Sequence, residues 1–227
     1  MLDEQQLLQS EVVANAAMNR GRGLQGVNSY EKELREELIQ LLGRQVDQHG
    51  KASWLDLCCG EGRALLEAAK LLEAQAVLDR VSITGVDLHP PRMRERTAVQ
   101  FVESSAQAWD ADGEFSLITC VHGLHYIGDK LGLISQMASL LTPDGVLLAN
   151  LDLADIASPD SKIATSRAAA EFRRAGIDYN RRTKVLRIVG TQRLAFGLRF
   201  LGADDQVGPN YTGQPGVRSY YEVDESK

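Results

Sequence analysis

Between Asp56 and Arg63 the chain reads Asp-Leu-Cys-Cys-Gly-Glu-Gly-Arg, and a helix-forming run follows at once. A strand that turns sharply into a helix needs residues without bulk, both to make the turn and to let a ligand lie against the main chain. Gly60 and Gly62 supply them. A dinucleotide would ask for G-x-G-x-x-G, with its pyrophosphate at the helix N-terminus. Here Cys58 stands where the first glycine would be, no third glycine follows at that spacing, and Glu61 brings a negative charge to where phosphates would lie. A cationic, phosphate-free nucleoside suits the loop better, because Asp56 can receive an ammonium, directly or through water. Asp87 ends the next apolar run, at about the interval of an acidic residue that takes both ribose hydroxyls. Each carboxylate has a plainer use as a helix cap, and at Asp87 both uses can coexist.

A second pair of groups with chemistry is His122 and His125, just after a later apolar run. An imidazole there, at the C-terminal edge of a parallel sheet, can take a proton from a hydroxyl or amine near working pH. The alternative is that His125, within HGLHYIGD, packs under the next helix and only shapes the pocket. Cys58 and Cys59 are read as small loop or core residues, since only Arg63 is near in sequence to lower a thiol pKa. With Cys120 they form no metal-ligand pattern, and neighbours such as Cys58 and Cys59 rarely bridge. No metal is expected, and a reducing, cytoplasmic setting fits best.

The elements that must hold these groups are readable from residue 53 to residue 151, where apolar runs alternate with helix-period segments. Strands are predicted at 53–57, 81–87, 99–103, 115–120 and 145–151, with covering helices at 63–75 and 129–141. Upstream, helical segments at 2–18 and 30–43 flank a glycine-rich stretch, 20–29, read as a flexible loop, with Asn28 or Ser29 as the second N-cap. Downstream come a helix at 159–176 and β-rich segments VLRIVG, LAFGLRF and VRSYYEV, which suggest an antiparallel end to the sheet. The expected organisation is a helical cap over 1–50 and an α/β domain over 51–227, with acceptor-binding elements in 176–227.

The chain has 227 residues, 44% hydrophobic and 25% charged, enough for one packed α/β domain. A net charge of −6 with no Lys/Arg stripe argues against a nucleic-acid partner. The first twenty residues lack a basic n-region and a compact apolar core, and no apolar stretch of about eighteen follows, so neither a secretion signal nor a membrane span is expected. A homodimer is compatible with the sequence.

DLCCGEG resembles motif I of the class I S-adenosylmethionine-dependent methyltransferases, usually D/E-x-G-x-G-x-G, in which the first glycine is sometimes cysteine. FVESSAQAW at 101–109 is similar to the family's segment after strand 3, FSLITCVHGLHYI looks like its motif IV with Ser116 for the usual acid, and LLTPDGVLLAN resembles its turn before strand 5. The likeness covers about residues 52–151. It implies an α/β, Rossmann-like, seven-stranded, mostly parallel sheet with helices on both faces, antiparallel C-terminal strands and a helical N-terminal cap.

The resemblance also implies S-adenosyl-L-methionine as cofactor. Asp56, Cys58, Gly60 and Gly62 fall on its methionine and ribose side, Asp87 and Leu88 at the ribose hydroxyls, and Ser105 with Ala106 at the adenine. The position of Ser105 is often acidic in the family. Arg20 or Arg22 either meets the cofactor carboxylate or belongs to a solvated loop, and Tyr30 lies where related enzymes place a lid. The motif-IV segment lacks an Asn/Asp-Pro-Pro-Tyr/Phe tetrapeptide, which argues against exocyclic amines of nucleobases or glutamine. The acceptor is therefore expected to be a small molecule, methylated at O or N, with carbon left open. A dedicated base such as His122 or His125 is optional, because alignment alone does much of the work on an activated sulfonium. The segment 202–223 either walls the acceptor pocket, through Asp204, Asp205, Asn210 or Tyr211, or is surface loop. Rival readings are a non-catalytic S-adenosylmethionine-binding protein, an NAD-dependent oxidoreductase, and an aminopropyl transferase, which would want more acid after the fourth strand.

Overall fold

A computed structural model describes residues 1–14, 21–92, 97–111, 113–159 and 163–224. In chain order these form α1 (Glu4–Leu8), α2 (Glu11–Ala14), α3 (Tyr30–Leu34), α4 (Leu38–His49), β1 (Ala52–Leu57), α5 (Arg63–Ala74), β2 (Val81–Asp87), β3 (Val99–Glu103) and β4 (Phe115–Cys120). There follow α6 (Lys130–Ser139), β5 (Leu141–Asn150), β6 (Ile156–Ala157), α7 (Ile163–Arg174), β7 (Asp178–Asn180), β8 (Val185–Val189), β9 (Leu198–Asp204) and β10 (Arg218–Val223).

Seven strands make one sheet in the order β3-β2-β1-β4-β5-β8-β7. The first five run parallel, and β8 pairs antiparallel with both β5 and β7. This is the expected Rossmann-like α/β fold. The order reverses between β1 and β4, so the loops leaving those two strands diverge and open a crevice at their C-terminal ends. Asp56 is in register with Gly85 on one side and Thr119 on the other, which brings the ends of β1, β2 and β4 level.

Strand side chains alternate between two cores, as a pleat of period 2 requires. Trp54, Leu117 and Leu148 point to one face, where α4 and α5 bring Leu38, Leu42, Leu65 and Leu72. Leu55, Ile118 and Leu147 point to the other, against Leu131, Ile134 and Met137 of α6 and Phe172 of α7. Strand β4 is buried at every position, so its sequence is apolar-rich without a polar face, and its polar Ser116 and Thr119 are hydrogen-bonded to Ser53 and Asp56. Helix α6 starts where the Asp129 carboxylate accepts the Gly132 N–H.

The structure departs from the sequence expectations in four places. The 2–18 segment is two short helices, α1 and α2, parted by a turn at Gln9 and Ser10, and residues 15–18 lie outside the described ones. The 30–43 segment is two helices, broken by Arg35 at φ 58°, and α4 runs on to His49. The Glu31 carboxylate accepts the Leu38 N–H at 3.1 Å and so serves as cap to α4, whose own N-cap residue gives none. Residues 21–29 are a pinned turn, with Leu24 wholly buried, its N–H held by Glu67 at 2.7 Å, and Arg22 bonded to Glu33 at 3.2 Å. Finally, β9 and β10 leave the main sheet and join β6 in a small one, β6-β10-β9, to whose edge Leu2 adds two hydrogen bonds with Ala203. Among the described residues no helix is long and apolar enough to cross a membrane.

Candidate active site

A cavity occupies the crevice at the C-terminal ends of β1 to β4. Its floor is made by the loops after these strands: Cys58–Gly60, Asp87–His89, Ser104–Gln107 and 121–127. Glu4, Leu7 and Leu8 of α1 with Val12 and Val13 of α2 roof it, Arg22 and Tyr30 stand on one wall, and Thr212 and Gln214 close the far end. A helical cap over 1–50 was expected, but which residues of α1 and α2 line the cavity was not, nor were those last two residues. Neither α1 nor α2 carries a motif, and the 202–216 segment reaches the cavity only through long-range folding.

The loop after β1 takes the left-handed conformation at Cys58, Gly60 and Gly62, with φ of 61°, 60° and 63°. The Gly60 N–H donates to Asp87 Oδ2 at 2.9 Å and the His89 N–H donates to Oδ1 at 2.9 Å, so the Asp87 carboxylate ties the first loop to the second. Gly62 does not border the cavity. A Cβ there would lie 2.3 Å from the Phe101 ring, so its smallness serves helix-to-sheet packing rather than a ligand. Cys58 borders the cavity, but its thiol meets Cys120, and that contact together with burial pushes its pKa up.

Asp56 lies beneath the floor and is fully buried. Its Oδ2 accepts the Tyr30 hydroxyl at 2.8 Å, and its Oδ1 accepts the Thr119 hydroxyl at 2.5 Å, which itself accepts the Trp54 indole N–H at 2.8 Å. Burial lifts the Asp56 carboxyl to about 7, against the pull of those two hydroxyls, and nearby Asp87 adds to the rise. Asp56 reaches the cavity through Tyr30, which it holds in the wall. A direct contact with a cofactor ammonium is not what this placement offers.

At the other end of the floor Leu88, Ser105 and Ala106 all line the cavity. The Ser105 hydroxyl accepts the Ala108 N–H at 3.1 Å and shapes its own turn. Arg22 lines the wall, where its guanidinium meets Asn28 and Glu33, and Arg20 lies outside the described residues.

His122 and His125 both border the cavity, with ring centroids 5.5 Å apart. His122 adopts φ 60°, and its N–H donates to Asn150 Oδ1 at 3.3 Å. Its Nε2 lies 3.2 Å from Glu33 Oε2, and that neighbour, helped by Arg22, holds the Glu33 carboxyl below its usual range despite partial burial. His125 is 1% exposed, and burial keeps its pKa low although Asp155 Oδ2 stands 3.6 Å from Nδ1. The Tyr211 ring, from the segment after β9, packs 5.2 Å from His125 and 6.1 Å from His122. That segment therefore meets the site, as one of its two readings held. Glu33 and Asp155 were missed. Tyr30 and Glu33 share a helix face at i, i+3 after the Ser29 cap, which is the signal that could have found Glu33. Among the described residues no three His, Cys, Asp or Glu side chains gather as a metal site would.

A family model for a methyltransferase domain matches residues 30–185. No protein among curated sequences matches the chain. Among solved structures, it is similar to a sugar N-methyltransferase from a Streptoalloteichus species, with 23% identity over 54% of this chain and 49% of that one, TM-score 0.37. It is also similar to the N-methyltransferase NodS of Bradyrhizobium japonicum bound to S-adenosyl-L-homocysteine, with 13% identity over 81% and 100%, TM-score 0.42. A third is the plantazolicin methyltransferase BpumL in complex with a monoazolic desmethylPZN analog and SAH, with 11% identity over 79% and 90%, TM-score 0.49. The chain spans about half the length of the first of these.

Proposed function

Because the chain belongs to the class I S-adenosylmethionine-dependent methyltransferases, on the domain match over residues 30–185, we propose that it methylates a small-molecule acceptor at oxygen or nitrogen. The observation that carries this reading is the continuity of one cavity from the Gly60–Asp87 junction and Ser105 to the His122–His125 pair. A nucleoside fits the first half and an acceptor the second.

The lining suits S-adenosylmethionine. Arg22 is its only Lys or Arg among the described residues, so the wall offers little to a pyrophosphate and one partner to a carboxylate. In this reading Asp87 and Leu88 hold the ribose edge, Ser105 and Ala106 the adenine, and Cys58 and Gly60 let the methionine side pass along the main chain. Leu7, Leu8, Val12 and Val13 cover the base and keep water out. Asp56 fixes Tyr30 and is a positioning residue. When bound, S-adenosylmethionine supplies a methyl carbon already activated by a cationic sulfur, which departs as a neutral thioether when the acceptor's lone pair takes the carbon. His122 receives the acceptor's proton, and Glu33 at 3.2 Å offsets the positive charge that then forms on the ring. The chemistry asks for little else from the protein beyond alignment. Three reduced cysteines support a cytoplasmic setting.

Isothermal titration with S-adenosylmethionine, S-adenosylhomocysteine and NAD tests the reading. The first two should bind and NAD should not. Binding of NAD without either sulfur nucleoside overturns it.

A further inference from the structure

Asp56 is a buried carboxyl that meets no positive charge. It is fully buried, and its two oxygens bond to neutral hydroxyls, Oδ2 to Tyr30 at 2.8 Å and Oδ1 to Thr119 at 2.5 Å. The titratable groups around the Asp56–Tyr30 pair are Cys58 and Cys59 of the loop after β1, Cys120 of β4 and Asp87 of β2, and none of them is a cation. Arg22, the guanidinium in the cavity wall, is engaged by Glu33. An isolated carboxylate in such a place is costly, because burial favours its neutral form.

The partners suit either form. A hydroxyl both donates and accepts, so Tyr30 can donate to the carboxylate or take the hydrogen of the acid, and the pair stays bonded in both states. Thr119 accepts the Trp54 indole N–H and is thereby set to donate to Oδ1, which leaves the Tyr30 side for the hydrogen of the acid form. That side is the one toward the cavity, since Tyr30 stands in its wall. Charge at the cavity is also felt there. Asp87 borders the cavity, and its carboxylate adds to the rise at Asp56. A cation at the same end of the cavity acts with the opposite sign and favours the ionised form.

S-adenosylmethionine and its spent product differ by one such charge, since the donor's sulfur is a sulfonium and the product's sulfur is a neutral thioether. Resting on the methyltransferase reading above, we propose that Asp56 tells donor from product by charge: the sulfonium-bearing cofactor binds with release of the Asp56 proton to water, and the carboxylate takes a proton back from water once the sulfur is neutral. Only the Asp56 O–H bond breaks and re-forms. Asp56 touches neither ligand in this scheme. It acts through Tyr30 and the floor, so it is a positioning residue that sets specificity for the charged donor.

The carboxyl is poised at about 7, so near neutral pH about half of the empty molecules hold the proton. Calorimetric titration of the full chain at pH 7, in phosphate and in Tris, counts the protons released, because the two buffers differ in ionisation enthalpy. The probes are S-adenosylmethionine, S-adenosylhomocysteine and sinefungin, in which an amine-bearing carbon replaces the sulfonium. The two cationic probes should release about half a proton more than S-adenosylhomocysteine, and Asp56→Asn should remove that difference. Preference for S-adenosylmethionine over S-adenosylhomocysteine should rise about fivefold from pH 6 to pH 8 in the wild type, and the variant should lose this rise. Equal proton release by donor and product overturns the proposal, as does a difference that survives in Asp56→Asn. If none of the three probes binds, the methyltransferase reading fails instead, so the two failures are distinct. Should the variant not fold, infrared difference spectra of the wild type decide. S-adenosylmethionine should remove a protonated-carboxyl band that S-adenosylhomocysteine leaves in place, and a band unchanged by both overturns the proposal.

Discussion

Asp56, near the end of β1, sits fully buried beneath the cavity. Its type and position ahead of two glycines were legible, but what covers it was not, because Tyr30 comes from 26 positions upstream and Thr119 from 63 downstream. Burial lifts its carboxyl from an ordinary 3.8 to about 7. A carboxyl so raised stays protonated in the folded chain while the unfolded chain ionises it. Folding then takes up a proton between roughly pH 4 and 7, and this group's contribution to stability falls as pH rises through that window. Asp56→Asn, which mimics the neutral acid, should lose less melting temperature than wild type between pH 5 and pH 8. Parallel curves would show that Asp56 is ionised in place. Gly62 makes a second test at this scale. With φ 63° and the Phe101 ring 2.3 Å from where an alanine methyl would sit, Gly62→Ala should cost about 2 kcal/mol or more in urea unfolding. Phe101→Leu should recover part of that loss, whereas no coupling between the two substitutions would mean the ring moves aside freely.

The elements of the parallel sheet were the most legible part of the chain, since short apolar-rich runs such as β4 mark buried strands and α5 shows Ala/Leu periodicity. The break at Arg35 was not, because a left-handed arginine is fixed by the packing of α3 and α4 on the sheet and has no local signal. Which residues of the expected cap would roof the cavity was equally hidden. Helix α1 has five residues, too few to be stable alone, and is held by a capping box between Asp3 and Gln6, by burial of Leu7 and by the strand-like pairing of Leu2. Its Glu4 carboxylate accepts the Gln107 amide at 2.8 Å and the Asp129 N–H at 2.5 Å, which latches the roof to the floor on two sides of the cavity. Opening this latch would widen the way in and out of the cavity. Glu4→Ala should therefore speed release of S-adenosylhomocysteine about tenfold, a change of about 1.4 kcal/mol, as one charge-assisted contact would give. Stopped-flow displacement measures it, and an unchanged release rate would show that the roof is held by apolar contact alone.

On the scale of the whole molecule the two sheets divide the work. The seven-stranded sheet carries the floor at its reversal between β1 and β4. The small sheet could not be read in advance, because β10 pairs with β6 in parallel and with β9 across a bulge, and both registers depend on contacts far apart in sequence. Its placement has a consequence for the site. Leu2 bonds to Ala203 in β9, while Lys130, fully buried, donates to the carbonyls of Ile127 and Val217 and to Ser219 in β10. The roof, the small sheet and the turn that carries His125 are thus joined in one connected body around the cavity. A nucleoside that fills the cavity touches roof and floor together, so its binding should damp local opening across that body and leave the main sheet, already buried on both faces, unchanged. Amide hydrogen exchange with and without S-adenosylhomocysteine should show slowing in residues 2–13, in β9 and β10 and at 122–127. Exchange in β1, β4 and β5 should be slow in both states. Protection confined to the floor loops after β1 and β2 would mean that the roof and the small sheet move independently of the ligand, and that closure of the cavity is not coupled to its occupation.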